Sequence, residues 1–236
     1  MLFKIAELNV DLPIVGGIPS HYEAYLCDEE TEVDLHICAE NYKAERYHST
    51  WSYADVAHME SSRIFYGKLL EHDGIYLHSS AIALDGRAYL FSGPSGMGKS
   101  THTRLWQQTF GPAAQVFNDD RPVLRCLNDT WYAYGTPWCG KDNININMKV
   151  PLAGICFLEQ SQENAIRRLS QAEALSRIIS QTMRYFKSEE RLDLMLGHVE
   201  RLTKMIPVYE LKNRPEPAAA MLSYETMLAG AKENGL

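Results

Sequence analysis

The sequence has little of what a protein that binds nucleic acid or crosses a membrane needs. Of its 236 residues, 23 are Lys or Arg and 30 are Asp or Glu, so the formal net charge is -7 at pH 7, and neither half holds a basic run. A surface of this charge repels polyanions, and we expect no nucleic-acid partner. No apolar run approaches the ~18 residues of a membrane helix, and we expect no membrane partner.

Paired cysteine motifs are also missing. The cysteines are odd in number and none forms a C-x-x-C pair, which disfavours a disulfide framework or a zinc site and predicts reduced thiols. Residues 1–13 lack a basic leader and a small-residue cleavage site, so they predict a first strand and not a signal peptide. We therefore expect a cytoplasmic protein. The cysteines are Cys27, Cys38, Cys126, Cys139 and Cys156.

The remaining composition is that of an ordinary folded protein. Apolar residues make up 45% and charged residues 22%, and the length suits one domain spanning residues 1–236. We predict a mixed α+β fold with three parts. They are an N-terminal antiparallel β layer over residues 1–50, a nucleotide-binding and catalytic core over 75–160, and a C-terminal helical part over 161–236.

The N-terminal half contains strand patterns and two helix patterns. "FKIAELNV", "HYEAYLC" and "EVDLHICAE" alternate like strands. Apolar residues at helical spacing then predict a helix over about 53–71, with Ser52 as N-cap. Asp85-Gly86 predicts a hairpin between two apolar segments, and "KSTHTRLWQQTF" predicts a helix that Gly111-Pro112 ends.

The C-terminal half continues with strands and then helices. Strands are predicted at "AQVFNDDRPVLRCL", "WYAYG", "ININMKV" and "LAGICFLE". Helices are predicted over about 171–186 and 189–204, followed by a strand at "PVYEL" and a last helix over about 217–231.

The stretch "GPSGMGKST" matches the phosphate-binding pattern G-x-x-x-x-G-K-[ST] through Gly93, Gly98, Lys99 and Ser100. An apolar strand precedes it and a helix follows, which aims backbone N–H groups at a polyphosphate. Lys99 would sit between the β and γ phosphates, and Ser100 would bind Mg²⁺. The predicted ligands are ATP and Mg²⁺. The predicted nucleotide-binding residues are Gly93, Pro94, Ser95, Gly96, Met97, Gly98, Lys99, Ser100 and Thr101.

Two further groups flank the glycine-rich stretch. Asp119 and Asp120 end the next apolar strand, where phosphate-loop proteins place a carboxylate for Mg²⁺. With two adjacent carboxylates, one can bind the metal and the other can accept a proton. The alternative is that both aspartates are surface residues of a turn after the strand. His78, upstream, is either a catalytic or a structural histidine.

The run "LHSSAIALDGRAYLFSGPSGMGKSTHTRLW", followed by "NDD", resembles the catalytic domain of HPr kinase/phosphorylase, which shares its fold with phosphoenolpyruvate carboxykinase. The resemblance implies a kinase with a P-loop core. It implies that Asp119 is the general base, that His78 hydrogen-bonds to Asp119, and that Asp120 and Ser100 hold the metal. Lys99 would neutralise the phosphate charge in the reaction.

The chain departs from that family after the aspartate pair, at "GTPWCGKDNININ". Two interpretations stay open: Trp138, Lys141 and Asn143 line an acceptor pocket, or the segment is a rigid connector with Trp138 in the core. Two interpretations also stay open for "MRYFKSEERLD". Arg184 or Lys187 contacts a phosphate of the ligand, or the charged residues form a helix face exposed to solvent.

We hypothesise an ATP-dependent phosphotransferase that acts on a hydroxyl of a dedicated peptide, protein or small-molecule acceptor. The resemblance favours a serine hydroxyl. The alternative is a nucleotide-gated binding module without phosphotransfer. Carboxykinase-like chemistry on a carboxylic acid would need an arginine-rich acceptor pocket, and no arginine cluster is evident near the motifs. A homo-oligomer stays open, as does GTP or pyrophosphate as the donor.

Overall fold

The first strands form a small sheet of their own. The structure is a computed structural model that describes residues 1–14, 17–27, 31–182 and 188–236. Strands β1 (Leu2–Ile5) and β2 (Leu8–Asp11) pair antiparallel, and β3 (Leu35–His36) pairs parallel with β2. "HYEAYLC" contributes the short helix α1 (Ser20–Glu23) and not a strand. "FKIAELNV", expected as one strand, instead spans a turn at Ala6 and Glu7 between β1 and β2. The expected antiparallel pairing is present only between these two strands of the layer.

Helix α2 (Tyr53–Lys68) begins where the sequence predicts it. The Ser52 hydroxyl accepts the N–H of Asp55, and the Asp55 carboxylate accepts the N–H of Ser52, so the two residues form a capping box. A 3₁₀ turn, Leu69–His72, then leads to the first strand of the main sheet.

The main sheet has two parts that share one long strand. Within the described residues its order is β4-β8-β9-β10-β6-β5-β7, and β12 pairs with β10 and with β11. The 12-residue β10 pairs antiparallel with β9 at its start and parallel with β6 and β12 further on. The strands are β4 (Gly74–Tyr76), β5 (Ser79–Leu84), β6 (Arg87–Ser92), β7 (Gln115–Asn118), β8 (Val123–Leu127), β9 (Thr130–Tyr134), β10 (Lys149–Gln160), β11 (Ala165–Arg168) and β12 (Val208–Asn213).

Most of these strands lie in segments predicted as strands, but "AQVFNDDRPVLRCL" forms two strands, β7 and β8, and not one. The Asp85-Gly86 hairpin turn is present, with φ of 52° and 72°. "ININ" is not part of a regular strand and makes an isolated bridge between Asn145 and Asn118. No strand was expected at β11.

Helices cover both faces of the parallel part of the sheet. Trp106 of α3 and Met227 of α6 pack with Phe91 on one face. Ile178 of α4 and Val199 of α5 pack on the other. The helix predicted over 171–186 is described only to Gln181, and Arg184 and Lys187 lie outside the described residues. The helices are α3 (Lys99–Phe110), α4 (Gln171–Gln181), α5 (Glu189–Met205) and α6 (Pro217–Glu233).

A separate apolar cluster joins the N-terminal layer to the rest of the chain. Phe3 and Tyr25 pack with Phe65 of α2, Val123 of β8 and Trp138. The mixed α+β architecture expected from the sequence is thus present. All five cysteines lie in described segments and are free thiols. None of the helices in the described ranges is long and apolar enough to span a bilayer.

Candidate functional site

The glycine-rich stretch forms the connection between β6 and α3. Gly93, Gly96 and Gly98 have φ of 148°, 82° and 99°, a region that side-chain-bearing residues rarely adopt. Gly98 is also the N-cap of α3, so the backbone turns directly into the helix. Unpaired N–H groups and the helix dipole make such an N-terminus favourable for an anion.

Lys99 is the first residue of α3 and is only 8% exposed. Its Nζ donates to the Gly93 carbonyl at 2.9 Å and to the Pro94 carbonyl at 3.3 Å. Burial lowers the pKa of Lys99, and the nearby charge of Asp120 works in the opposite direction. The ammonium group is therefore held over the loop carbonyls, close enough to Asp120 to be affected by its charge.

His78 lies between β4 and β5 and is fixed by the end of α4. Its backbone N–H donates to the Gln181 carbonyl at 2.8 Å. On the ring, Nδ1 lies 3.1 Å from Oε1 of Gln181, and Nε2 lies 3.3 Å from Oδ1 of Asp120. Both ring nitrogens therefore face oxygen atoms, and the ring is held between the end of α4 and the aspartate pair.

The aspartate pair follows β7 in a turn that the Asn118 side chain holds. Asn118 Oδ1 accepts the N–H groups of Asp120 at 3.1 Å and Arg121 at 2.7 Å. Asp120 Oδ2 pairs with Arg121 Nε at 3.1 Å. Burial would raise the pKa of Asp120, but the hydrogen bond with His78 and the charges of Arg121 and Lys99 outweigh it and lower that pKa.

Asp119 has different surroundings, although it is the adjacent residue. Its side chain is 9% exposed, and Oδ1 accepts the N–H of Gly140 at 2.6 Å. Burial raises the pKa of Asp119, and the charge of Asp120 raises it further, against the Gly140 hydrogen bond. The predicted hydrogen bond between His78 and Asp119 is wrong, because the turn points the Asp119 carboxylate toward Gly140 and the Asp120 carboxylate toward His78.

The segment that departs from the resembled family packs beneath the aspartates. Trp138 is fully buried, its ring 4.7 Å from that of Phe65, and its Nε1 donates to Ser61 Oγ at 3.3 Å. Lys141 is exposed on the surface, and Asn143 has a positive φ of 52°. Trp138 therefore lies in the core, as one of the two interpretations expects, and it does not line the cleft described below.

A cavity of about 1210 Å³, here called the basic cleft, opens beside His78 and Asp120. Pro94 and Ser95 of the glycine-rich loop form one end of it, and α2 and the start of α5 form two walls. Asp120 is the one carboxylate among the described lining residues. The cationic lining residues are Arg46, Arg63, Lys68, Arg121 and Arg191.

These cationic residues correct the expectation that no arginine cluster lies near the motifs. They come from four separate parts of the sequence, and the fold brings them together. Arg63 and Lys68 both belong to the predicted helix, but a spacing of five residues does not place two side chains side by side on a helix, so the sequence offered no signal that they line one cleft.

Oxygen atoms suited to a magnesium ion are present near the loop. Asp119, Asp120 and Ser100 offer carboxylate and hydroxyl oxygens, the ligand types that Mg²⁺ takes together with phosphate and water. Asp119 is a buried carboxyl beside a second carboxylate, a pair that a cation would stabilise. Among the described residues, no group of three or more His, Cys, Asp or Glu residues could hold a metal by itself. The residues therefore fit a metal that phosphates help to bind.

Comparisons with known proteins give a matching family and distant structural likenesses. The family model described as "SynChlorMet cassette protein ScmC" matches residues 47–214. The HPr(Ser) kinase/phosphatase from Coxiella burnetii is a structural neighbour with 12% sequence identity and a TM-score of 0.37. The alignment covers 66% of this chain and 90% of that one. No curated protein matches the sequence.

Proposed function

This chain belongs to the SynChlorMet cassette protein ScmC family, and we propose that it is an ATP-dependent phosphotransferase acting on a hydroxyl group. One observation carries the proposal. The glycine-rich loop and the His78–Asp120 pair border the same cleft, so a bound phosphate and an acceptor hydroxyl would meet there.

On the donor side, the loop and α3 bind the phosphates of ATP. The positive-φ glycines let the backbone approach the phosphate oxygens, and the N-terminus of α3 supplies N–H donors. Lys99 turns from the Gly93 and Pro94 carbonyls to the phosphates, which are stronger acceptors because they are charged. Mg²⁺, when bound by Ser100 and Asp119, supplies further neutralisation of phosphate charge.

On the acceptor side, we assign Asp120 as the proton acceptor in place of Asp119. Asp120 lines the basic cleft and is held by His78. The hydroxyl oxygen forms a bond to the γ-phosphorus, the bond from that phosphorus to the β-phosphate oxygen breaks, and the hydroxyl proton passes to Asp120. A carboxylate with a lowered pKa suffices, because phosphoryl transfer depends mainly on positioning and charge neutralisation.

The family name supports a dedicated acceptor. It describes its members as cassette proteins, and we propose that the acceptor is encoded in the same cassette. A serine hydroxyl is the first candidate, from the resemblance of residues 75–160 to HPr kinase.

A second candidate function is carboxykinase-like chemistry on a small carboxylic acid. The arginines of the basic cleft favour it, since guanidinium groups bind carboxylates in two-pronged geometry. The remaining alternative is a module that binds nucleotide and switches a partner surface without phosphate transfer. Such a module has no use for the pairing of Asp120 with His78 at the cleft, so this pairing argues against it.

The test is phosphate transfer from radiolabelled ATP with Mg²⁺ to the proteins and peptides of the cassette. We expect Asp120→Asn to lower transfer by about 10²- to 10⁴-fold while nucleotide affinity is kept, because it removes only the proton acceptor. Lys99→Ala should lose both transfer and much of the affinity. If the wild type transfers no more phosphate than Lys99→Ala does, the protein is not a kinase. If Asp120→Asn transfers phosphate at the wild-type rate, Asp120 is not the proton acceptor.

A further inference from the structure

The charges around the basic cleft are arranged in a way that phosphate transfer alone does not require. ATP and Mg²⁺ engage the loop end, at Pro94 and Ser95, yet most cationic side chains lie on α2 and on the segments packed beside it. Arg63 and Lys68 belong to α2, and Arg46 comes from the 3₁₀ turn before it. These groups are placed to contact a ligand that extends away from the phosphates.

A buried carboxylate holds this wall in place. Glu60 is fully buried on α2, and it accepts hydrogen bonds from Arg63 Nη2 at 2.7 Å and from the Tyr47 hydroxyl at 2.9 Å. Arg46 Nη1 lies 3.9 Å from the same carboxylate. The Tyr47 ring in turn lies 5.2 Å from that of Trp51, a tryptophan that is 43% exposed. Arg63 and Arg46 are thus oriented before any ligand binds.

The acidic partners near the cleft do not cancel its positive charge. Five cationic residues line it, against Asp120 in the lining and Glu60 and Glu71 behind it. Lys68 has no acidic partner among the residues that the structure describes. Arg63 uses Nε and Nη2 on Glu60, and its Nη1 has no hydrogen-bond acceptor among the described residues. Donors of α2 are therefore left free to contact a ligand.

We infer that the basic cleft binds an acidic peptide segment whose hydroxyl-bearing residue reaches Asp120 and whose flanking carboxylates contact Arg63, Lys68 and Arg46. The inference rests on the proposed phosphotransferase function and names its acceptor class. The cavity exceeds the range of about 300 to 1,000 Å³ usual for small-molecule pockets, which are also mainly apolar. The cationic side chains of the cleft come from separate segments. A peptide with several spaced carboxylates can therefore contact more of these side chains than one small carboxylic acid can.

The charge of the whole chain adds selectivity. With a formal net charge of -7, the protein repels an acidic peptide from most of its surface. The cleft is a positive exception, so encounters are favoured only there. Salt should weaken this attraction, because the cations of the cleft are partly exposed.

The test uses three peptides with one central serine, flanked by Glu, Ala or Lys residues, with radiolabelled Mg-ATP. We expect kcat/KM for the Glu peptide to exceed that for the Ala peptide by at least about tenfold, the effect of two or three partly exposed ion pairs. The Lys peptide should be the poorest acceptor, and 0.5 M salt, roughly a 4 Å screening length, should shrink the differences.

A matched pair of variants locates the effect. Lys68→Glu and Lys232→Glu change the net charge equally, but Lys232 lies exposed on α6, away from the cleft. Only Lys68→Glu should reduce the preference for the Glu peptide. Fluorescence anisotropy with a labelled Glu peptide carrying Ala in place of serine reports binding without transfer, and it should show the same difference.

The outcomes separate the two proposals. Equal transfer to all three peptides would overturn the acidic-peptide inference and leave the phosphotransferase standing. If the Glu peptide binds in a Lys68-dependent way but no acceptor is phosphorylated, the cleft binds acidic peptides and the proposed phosphotransferase activity is wrong. Transfer to citrate or malate but to none of the peptides would replace the peptide with a small acid, and so overturn the inference.

Discussion

Asp119 and Asp120 are consecutive residues with opposite electrostatic surroundings. Asp120 faces His78 and Arg121, which lower its pKa against the effect of burial, whereas burial and the charge of Asp120 raise the pKa of Asp119. One carboxylate is therefore stabilised by the protein and the other is held at a cost in folding free energy. That cost is consistent with a residue kept for binding a cation.

Asp119→Asn should stabilise the folded protein at neutral pH. A carboxyl whose pKa is raised by folding lowers the free energy of unfolding above its unfolded pKa of about 3.8, and the cost disappears as the pH falls below that value. We expect a gain of about 1 kcal/mol at pH 7, since Asn Oδ1 can still accept the Gly140 N–H.

Urea unfolding at a series of pH values from 7 down to 4 measures this gain, which should shrink toward the acid end. Asp193→Asn is the control, because it removes one negative charge from an exposed position on α5. An equal gain in both variants would show that net charge, and not the surroundings of Asp119, is responsible.

At the residue scale, the sequence identified the chemical groups but not their pairing. Lys99, His78 and the aspartates stand out by residue type and spacing. Which of two consecutive side chains faces His78 depends on the turn that Asn118 Oδ1 holds. The turn itself is local, but it meets His78 through the pairing of β5 with β7 and the bond from Ser79 N–H to the Asp120 carbonyl, which the local sequence does not determine.

At the element scale, prediction worked where a local signal decides the structure. Ser52 caps α2 through its own hydroxyl, and Asp85-Gly86 adopts the positive φ values of a tight turn. "HYEAYLC" alternates like a strand, but it forms α1 and places Tyr22 and Tyr25 in the core. There, tertiary packing overrides the local pattern.

A substitution at Gly135 measures how tightly the segment after β9 packs against its neighbours. A Cβ at this position would lie 1.8 Å from the Ile146 carbonyl oxygen and 3.0 Å from that of Phe117, and backbone atoms do not move aside easily. We expect Gly135→Ala to lower the free energy of unfolding by more than about 3 kcal/mol.

The matched control is Gly197→Ala. Gly197 lies in α5, where an added Cβ meets nothing within 4 Å. This variant should gain about 0.5 to 1 kcal/mol from helix propensity. Equal urea midpoints for the two variants would contradict the close packing of residues 135–147.

At the scale of the whole molecule, the N-terminal layer packs against the segments that form the cleft. The family match begins at residue 47, yet residues before it pack against α2 and β8. Arg125 of β8 donates to the Ala6 carbonyl at 2.7 Å, and the Tyr134 hydroxyl donates to Glu7 at 2.6 Å. The layer therefore supports α2, which carries one wall of the basic cleft.

Phe3→Ala should destabilise the whole chain and not only the layer. Phe3 is fully buried, and truncation of a buried phenylalanine costs about 3 to 5 kcal/mol. Because the cluster also contains Trp138, near-UV and far-UV circular dichroism should report one shared transition. Leu26→Ala, at a position 40% exposed, is the control and should change little. Two separate transitions would mean that the layer folds independently.

The charge of the whole chain was readable from the sequence, but its distribution was not. The formal net charge predicts repulsion of polyanions, while the fold gathers Arg46, Arg63, Arg121 and Arg191 beside one site. These residues belong to the turn before α2, to α2 itself, to the turn after β7 and to α5. Assembly of these distant segments requires the complete tertiary fold.

The contact between Trp51 and Tyr47 gives the protein an optical property. Trp106, Trp131 and Trp138 are almost fully buried, so their emission is shielded from solvent, whereas Trp51 is exposed. Trp51 is connected to the basic cleft through Tyr47 and Glu60. The chain thus carries an exposed intrinsic fluorophore two contacts away from the arginines of the cleft, and we expect its emission to change when the cleft is occupied.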